Sequence, residues 1–333
     1  MTAQELSWFA LWGATALYAI AMVASSIHLS RVADAKAAAK GKVGAVVGAQ
    51  RSGDATARTA SASAADRVVV RSKATGIARS TTLVGAILNG LGVIARTVEA
   101  GHAPWSTMYE YTITGTFVAV VVFLIVQHRR DVSYLAPGVT GFATIALGIA
   151  MTVLYAASTG LMPALQSFWL VIHVSIAIIA TGVFIVAAVA TVLQLMRDYR
   201  DEDATEAGGF MARWRNANVR LLKRWNWLEG VPSPATLEAL AFRLHAVGFV
   251  LWTFTVMAGA VWAEHAWGRY WGWDPKEVWS FVIWVIYAAY LHARTTQGWA
   301  GRRSAVLALS GFVALIMNFT VVNLYFQGMH TYA

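Results

Sequence analysis

The sequence predicts an all-α integral membrane protein, a bundle of about eight transmembrane helices with both termini on the extracytoplasmic side. Three observations predict it. Of 333 residues, 58% are hydrophobic and 13% charged, and the mean hydropathy is +0.55. The apolar residues gather into runs of about 20, the length a helix needs to cross a bilayer. The basic residues fall almost entirely on one set of the connections between those runs, and positive charge stays on the cytoplasmic side.

The runs lie at about 8–29, 80–98, 113–127, 134–156, 168–196, 239–262, 278–293 and 304–325. The first is too long for a cleavable signal and lacks a basic start. The connections 30–79, 128–133, 197–238 and 294–303 share one side. With Arg243 at the start of the sixth run, they hold every Lys and Arg except Arg96, Arg269 and Lys276. That side is read as cytoplasmic, so the net charge of +9 reflects membrane sidedness and not nucleic-acid binding. The expected organisation is a first span over 1–29, a flexible basic cytoplasmic loop over 30–79, and a seven-span membrane domain over 80–333.

The loop 30–79 is rich in Ala, Gly and Ser and has no sustained apolar face, which reads as flexible. The second long connection differs. Asp198 to Glu206 is acidic, and Arg213 to Trp227 is basic with interleaved tryptophans, which suits a helix lying on the inner leaflet. Pro232 and Pro234 then mark a break before the sixth span.

The densest chemistry lies in the connection 263–279, at Trp267-Gly268-Arg269-Tyr270-Trp271-Gly272-Trp273-Asp274-Pro275-Lys276-Glu277-Val278-Trp279. Asp274, Pro275 and Glu277 form the pattern of a capping box that opens a helix. Capping does not explain Trp267, Trp271, Trp273 and Trp279. Two readings stand: an interfacial aromatic belt, or a platform for a planar ligand, with Gly268 and Gly272 giving access to the backbone.

This stretch resembles the tryptophan-rich signature of heme-handling membrane proteins of the CcsA/ResC type, a subunit of the system II cytochrome c synthase. Flanking pieces match too: Phe242-Arg243-Leu244-His245 with Gly248-Phe249, Tyr290-Leu291-His292-Ala293-Arg294, and Val322-Asn323 followed by Gly328-Met329-His330-Thr331-Tyr332. The likeness is strong over roughly 160–333, looser over 80–130 and absent over 35–78.

The chain has eight histidines and no cysteine. It therefore holds no disulfide, iron–sulfur cluster or thiolate-ligated heme of its own. Imidazoles can take both axial positions of heme iron. His128, beside Arg129 and Arg130, reads as solvated, and His28, His102 and His265 as structural or exposed. His245 reads as a partner of a neighbouring helix. Topology brings His173 and His330 to the level of the tryptophans, and the resemblance implies that these two ligate an external heme b. Arg269 and Lys276 are candidates for its propionates, and Asp274 for the same site. His292 lies about 20 Å from Trp279 at helical rise. On residues alone it is either an intramembrane functional site or a helix-end histidine favoured by the dipole. The resemblance implies a ligand of a second, intramembrane heme whose other histidine comes from a ResB-type partner, with His28 or His245 as the fallback.

The implied function is movement of heme across the plasma membrane and its presentation to an apocytochrome c bearing CXXCH, as a holocytochrome c synthase (heme lyase) subunit. The alternatives are a heme-loading subunit of another maturation route, a heme transporter without attachment chemistry, and an electron-transfer cytochrome.

Overall fold

The computed structural model describes residues 1–49, 73–158, 165–202 and 210–330. Among them every regular element is a helix. The helices are α1 (Ala3–Ala49), α2 (Lys73–Ala100), α3 (Met108–Arg129), α4 (Ala136–Thr152), α5 (Phe168–Asp201), α6 (Phe210–Lys223), α7 (Pro234–Trp267), α8 (Pro275–Thr296), α9 (Arg302–Phe319) and α10 (Val321–Tyr325). Short 3-10 turns at Ser133–Leu135 and Asn226–Gly230 precede α4 and α7.

Seven of these helices are long and apolar enough to cross a membrane. The eighth expected span corresponds to α8, whose 22 residues suffice in length. It is not among the seven because its tyrosines and tryptophans, with His292 and Arg294, dilute its apolar run. It nonetheless packs between α7 and α9. The expected flexible loop 30–79 is corrected in part. The helix of α1 continues to Ala49 and α2 begins at Lys73, while residues 50–72 lie outside those described. The alanines of 30–49 explain this, because alanine has the highest intrinsic helix propensity and needs no apolar face to express it.

Helix α5 is the axis of the bundle and the most deeply buried span. It packs on α3, α4, α7 and α9. Small residues allow this. Gly182 faces the backbone of Ala119, where a Cβ would stand 3.2 Å from its amide nitrogen. Small residues at such crossings let membrane helices approach closely. One core joins α1 to α5, and a second joins α5 to α7, α8 and α9. In the second, Phe184 stacks on Tyr287 at 4.1 Å, and Gly248 leaves room for the Phe184 ring.

The connections sort to two ends. One end gathers the basic segments. There Arg200 pairs with Glu229 at 2.8 Å, Arg294 with Glu238 at 2.9 Å, and Arg302 with Asp198 and Glu202. Helix α6 packs against α5 there and buries Val219 and Leu222. The opposite end gathers Gln4, Tyr155, the 101–107 turn, the tryptophan-rich loop and His330. Gln4 bonds Tyr155 at 2.8 Å, and Arg96 bonds the Ala156 carbonyl at 2.9 Å.

Candidate heme-handling site

The tryptophan-rich loop is short because both flanking helices are firmly capped. Helix α7 ends on Gly268, left-handed at φ 69°, whose amide donates to the Glu264 carbonyl at 2.7 Å. Helix α8 opens with the expected capping box. The Lys276 amide donates to Asp274 Oδ1 at 3.0 Å, and the Asp274 amide to Glu277 Oε2 at 3.1 Å. Glu277 Oε2 also accepts from the Gly272 amide at 2.8 Å. One carboxylate oxygen thus grips the backbone on both sides of Trp273. That residue sits at φ 59°, a left-handed geometry costing on the order of 1 kcal/mol for a bulky side chain.

Asp274 does more than cap. Its Oδ1 accepts from His330 Nδ1 at 2.8 Å and its Oδ2 from the Met329 amide at 2.6 Å. Gly328 lies against this carboxylate and against Pro275, with no room for a Cβ. The segment after the last helix is therefore hung on the first turn of α8. Burial pushes the Asp274 carboxyl up. Hydrogen bonds from His330, Lys276 and Met329 outweigh burial and hold it below the usual carboxylate value.

His173 is tethered in the same way from another direction. It lies on α5, and its Nδ1 donates to the Thr255 carbonyl of α7 at 2.9 Å. Gly259 makes this approach possible, since a Cβ there would stand 2.8 Å from the ring. Both acceptors, a carbonyl and a carboxylate, require a proton on Nδ1. Each neutral ring then carries its lone pair on Nε2. A hydrogen bond from the ring nitrogen turned away from the metal orients ligand imidazoles in metal sites. Trp262 joins the two rings. It stacks parallel to His173 at 5.9 Å and meets His330 edge-on at 5.2 Å. Trp267 meets His330 at 4.8 Å.

Both histidines line one cavity of about 260 Å³. Tyr270, Trp271, Trp262 and Lys276 line it, as do Trp105, Ser106 and Thr107 of the 101–107 turn. It runs inward between helices to Gly115, Phe142, Thr181 and Ile185, an apolar lining. The 101–107 turn is pinned by a buried ion pair. Arg96 Nε donates to Glu110 Oε1 at 2.9 Å, and Glu110 Oε2 accepts from Ser106 Oγ at 2.7 Å.

Of the residues expected at the site, His173, His330, Trp271 and Lys276 line the cavity, while Trp267 contacts His330. Lys276 Nζ also donates to the Asn318 carbonyl at 2.8 Å. Asp274 acts through His330. Arg269 is exposed, with its guanidinium folded against Gly272. Trp273 and Trp279 lie outside the lining: the former is exposed, and the latter packs in the α8 core. His292 is exposed on α8, with its helix turn running to the basic end. His245 is fully buried and bonds Thr191 at 3.1 Å, the helix partner expected of it. His28 bonds Thr75 at 2.8 Å. Thr331 and Tyr332 lie outside the described residues.

Sequence reasoning missed Trp262, Thr255, Gly259 and the grip of Glu277 on Gly272. Within an apolar span, Trp262 and Gly259 carry no signal that separates them from core residues.

This geometry coincides with a family likeness. Residues 105–330 match the family model described as cytochrome C assembly protein. The chain is 32% identical to the cytochrome c biogenesis protein CcsA of Prochlorococcus marinus, across 74% of this chain and 80% of that one. It is 33% identical to CcsA of Microcystis aeruginosa (78% and 86% covered) and 34% to CcsA of Gloeobacter violaceus (74% and 83%). The chain belongs to the cytochrome c assembly family, as a CcsA-type biogenesis protein. It is a multi-pass membrane protein of cytochrome c maturation, a process that handles heme and joins it to apocytochrome c. The matched segment contains His173, the whole tryptophan-rich loop, Asp274 and His330.

Gly259→Ala must push the His173 ring off the Thr255 carbonyl, because the added Cβ meets the ring and not a flexible tail. α-Helical content should stay unchanged, and on the reading proposed below heme content should fall toward that of His173→Ala. Absorption spectra of the purified variants and circular dichroism check this.

Proposed function

We propose that the chain holds heme b at its tryptophan-rich end, between His173 and His330, and presents it for covalent attachment to an apocytochrome c bearing CXXCH. The observation that carries the reading is the matched pair of tethered imidazoles lining one cavity, each with its lone pair on Nε2. Indole and phenol walls suit a flat apolar ring, and Lys276, with Arg269 at the rim, supplies positive charge for carboxylate edges. The chain's contribution is orientation and shelter. Each substrate thiol adds its sulfur and hydrogen across a vinyl double bond, so the addition itself consumes no oxidant.

The basic end is cytoplasmic in this reading and the tryptophan-rich end faces outward from the plasma membrane. His292 offers one ligand of a second, intramembrane heme to a ResB-type partner, whose own histidine completes it. The chain then works as a heme lyase subunit only in that complex.

The test is reconstitution of the chain with a ResB-type partner and a CXXCH-bearing apocytochrome. His173→Ala and His330→Ala remove a ligand outright. Each should cost at least as much as losing a residue that orients a ligand, about 10–100-fold. Added imidazole should restore part of the activity. Attachment at the wild-type rate in both variants would sink the assignment. Stoichiometric heme that is never released to apocytochrome would instead favour an electron-transfer role.

A further inference from the structure

Glu238 carries a carboxylate far from the cavity of His173 and His330. It stands in the second turn of α7 at the basic end and is 9% exposed. A buried carboxylate is costly unless it is paired and hydrogen-bonded. Both of its oxygens are engaged. Oε1 pairs with Arg294 Nε of α8 at 2.9 Å and lies 3.5 Å from Ser304 Oγ of α9. Oε2 accepts from the Gly301 amide at 3.1 Å. Gly301 is the N-cap of α9 and has no side chain to cap it. The Arg294 guanidinium also lies 5.7 Å over the ring of Phe242, one turn further along α7. Glu238 thus ties the end of α8 and the start of α9 to α7.

We infer that Glu238 is the positioning residue for His292. This rests on the intramembrane heme ligand proposed above and deepens it by naming what holds that ligand in place. Residues two apart on an α-helix point about 200° apart. His292 and Arg294 therefore lie on nearly opposite sides of α8. Ile283, Tyr287, Tyr290 and Arg294 form one stripe at i, i+4, i+7 and i+11, and the first three are buried. Phe281, Val285 and His292 form another, and all three are exposed. Seizing Arg294 on α7 fixes the rotation of α8. It turns His292 away from the bundle, to the side from which a second chain must bring its own histidine. His292 also lies only four residues before Thr296, the end of α8, where intrahelical bonds run out. Without Glu238 that end and the connection after it lose their anchor on α7. A plain staple of the bundle is the competing role, and it predicts equal damage at both heme sites.

The experiment uses the full complex with its ResB-type partner. In a His173→Ala, His330→Ala background only the intramembrane heme remains, and its loss to excess apomyoglobin is followed by absorption. Glu238→Ala should speed that loss about tenfold, the lower end of what losing a ligand-orienting residue costs. The low-spin spectrum should weaken and return on adding imidazole. Glu238→Gln keeps an acceptor for the Gly301 amide but no charge for Arg294, and should fall between the two. In a His292→Ala background only the external heme remains, and there Glu238→Ala should leave heme loss unchanged. An unchanged rate in the first background, a spectrum that imidazole does not restore, or an equal loss of the external heme would each overturn the inference. Failure of the underlying reading shows separately: His292→Ala would then keep the intramembrane heme of its parent, whatever Glu238→Ala does.

Discussion

Asp274→Ala is expected to cut heme attachment by one to two orders of magnitude, about the 10–100-fold that loss of a ligand-orienting residue costs a metal site. The residue does not line the cavity. Its Oδ1 orients His330 through Nδ1 and its Oδ2 ties down the Met329 amide. Removal frees the whole segment after α10, so His330 loses both its tautomer and its position. It also removes the cap of α8, worth about 1 kcal/mol. Asp274→Asn separates the roles. Its amide oxygen still accepts from the Lys276 amide, but one side-chain atom becomes a donor and cannot serve both His330 and Met329. Imidazole should rescue Asp274→Asn better than Asp274→Ala. Heme content and attachment rate in the reconstituted complex check both.

The pH dependence has a definite sign. The Asp274 carboxyl titrates below its ordinary value in the folded chain. Its contribution is therefore complete above the ordinary carboxylate range and is lost only as pH falls through the depressed folded value. Between neutrality and pH 5 the tether to His330 should hold, and heme content should not decline through this group.

Glu110→Ala is expected to be the most damaging single change to stability, by about 3–5 kcal/mol. Arg96 and Glu110 are each 1% exposed. Truncating the acid leaves a guanidinium buried without its main counter-charge, with only the Glu99 carboxylate at 3.3 Å and the Ala156 carbonyl to compensate. It also releases Ser106, whose amide and hydroxyl both donate to Glu110 Oε2. Two readouts should move together: the thermal unfolding midpoint in detergent falls, and heme retention falls because Trp105 and Ser106 leave the cavity wall. Glu110→Gln keeps an oxygen for Arg96 and should lose less of both. Equal midpoints for wild type and Glu110→Ala would show that the pair contributes nothing.

Much of the fold was legible because membrane constraints act on local sequence. A span must be apolar over its own length, so the apolar runs marked the helices within a few residues, except where α1 and α2 extend into the first connection. The Asp274, Pro275 and Glu277 pattern marked the start of α8 for the same reason, since a capping box is complete within four residues. The first connection was misjudged because alanine propensity holds 30–49 helical where burial gives no signal. Arg96 read only as one of three basic residues on the far side, because Glu110 lies beyond the turn that brings it near.

For this chain, sequence alone determined a membrane bundle, the sidedness pattern of its charges, the tryptophan-rich loop and the short set of histidines worth considering. Only the tertiary structure decided which side chains converge. Asp274 and His330, like His173 and Thr255, are brought together by helices that meet in space with no spacing rule to announce it. The physical reason is that insertion into a bilayer is a sum over one segment, whereas orienting an imidazole needs an acceptor from a second segment within 3 Å.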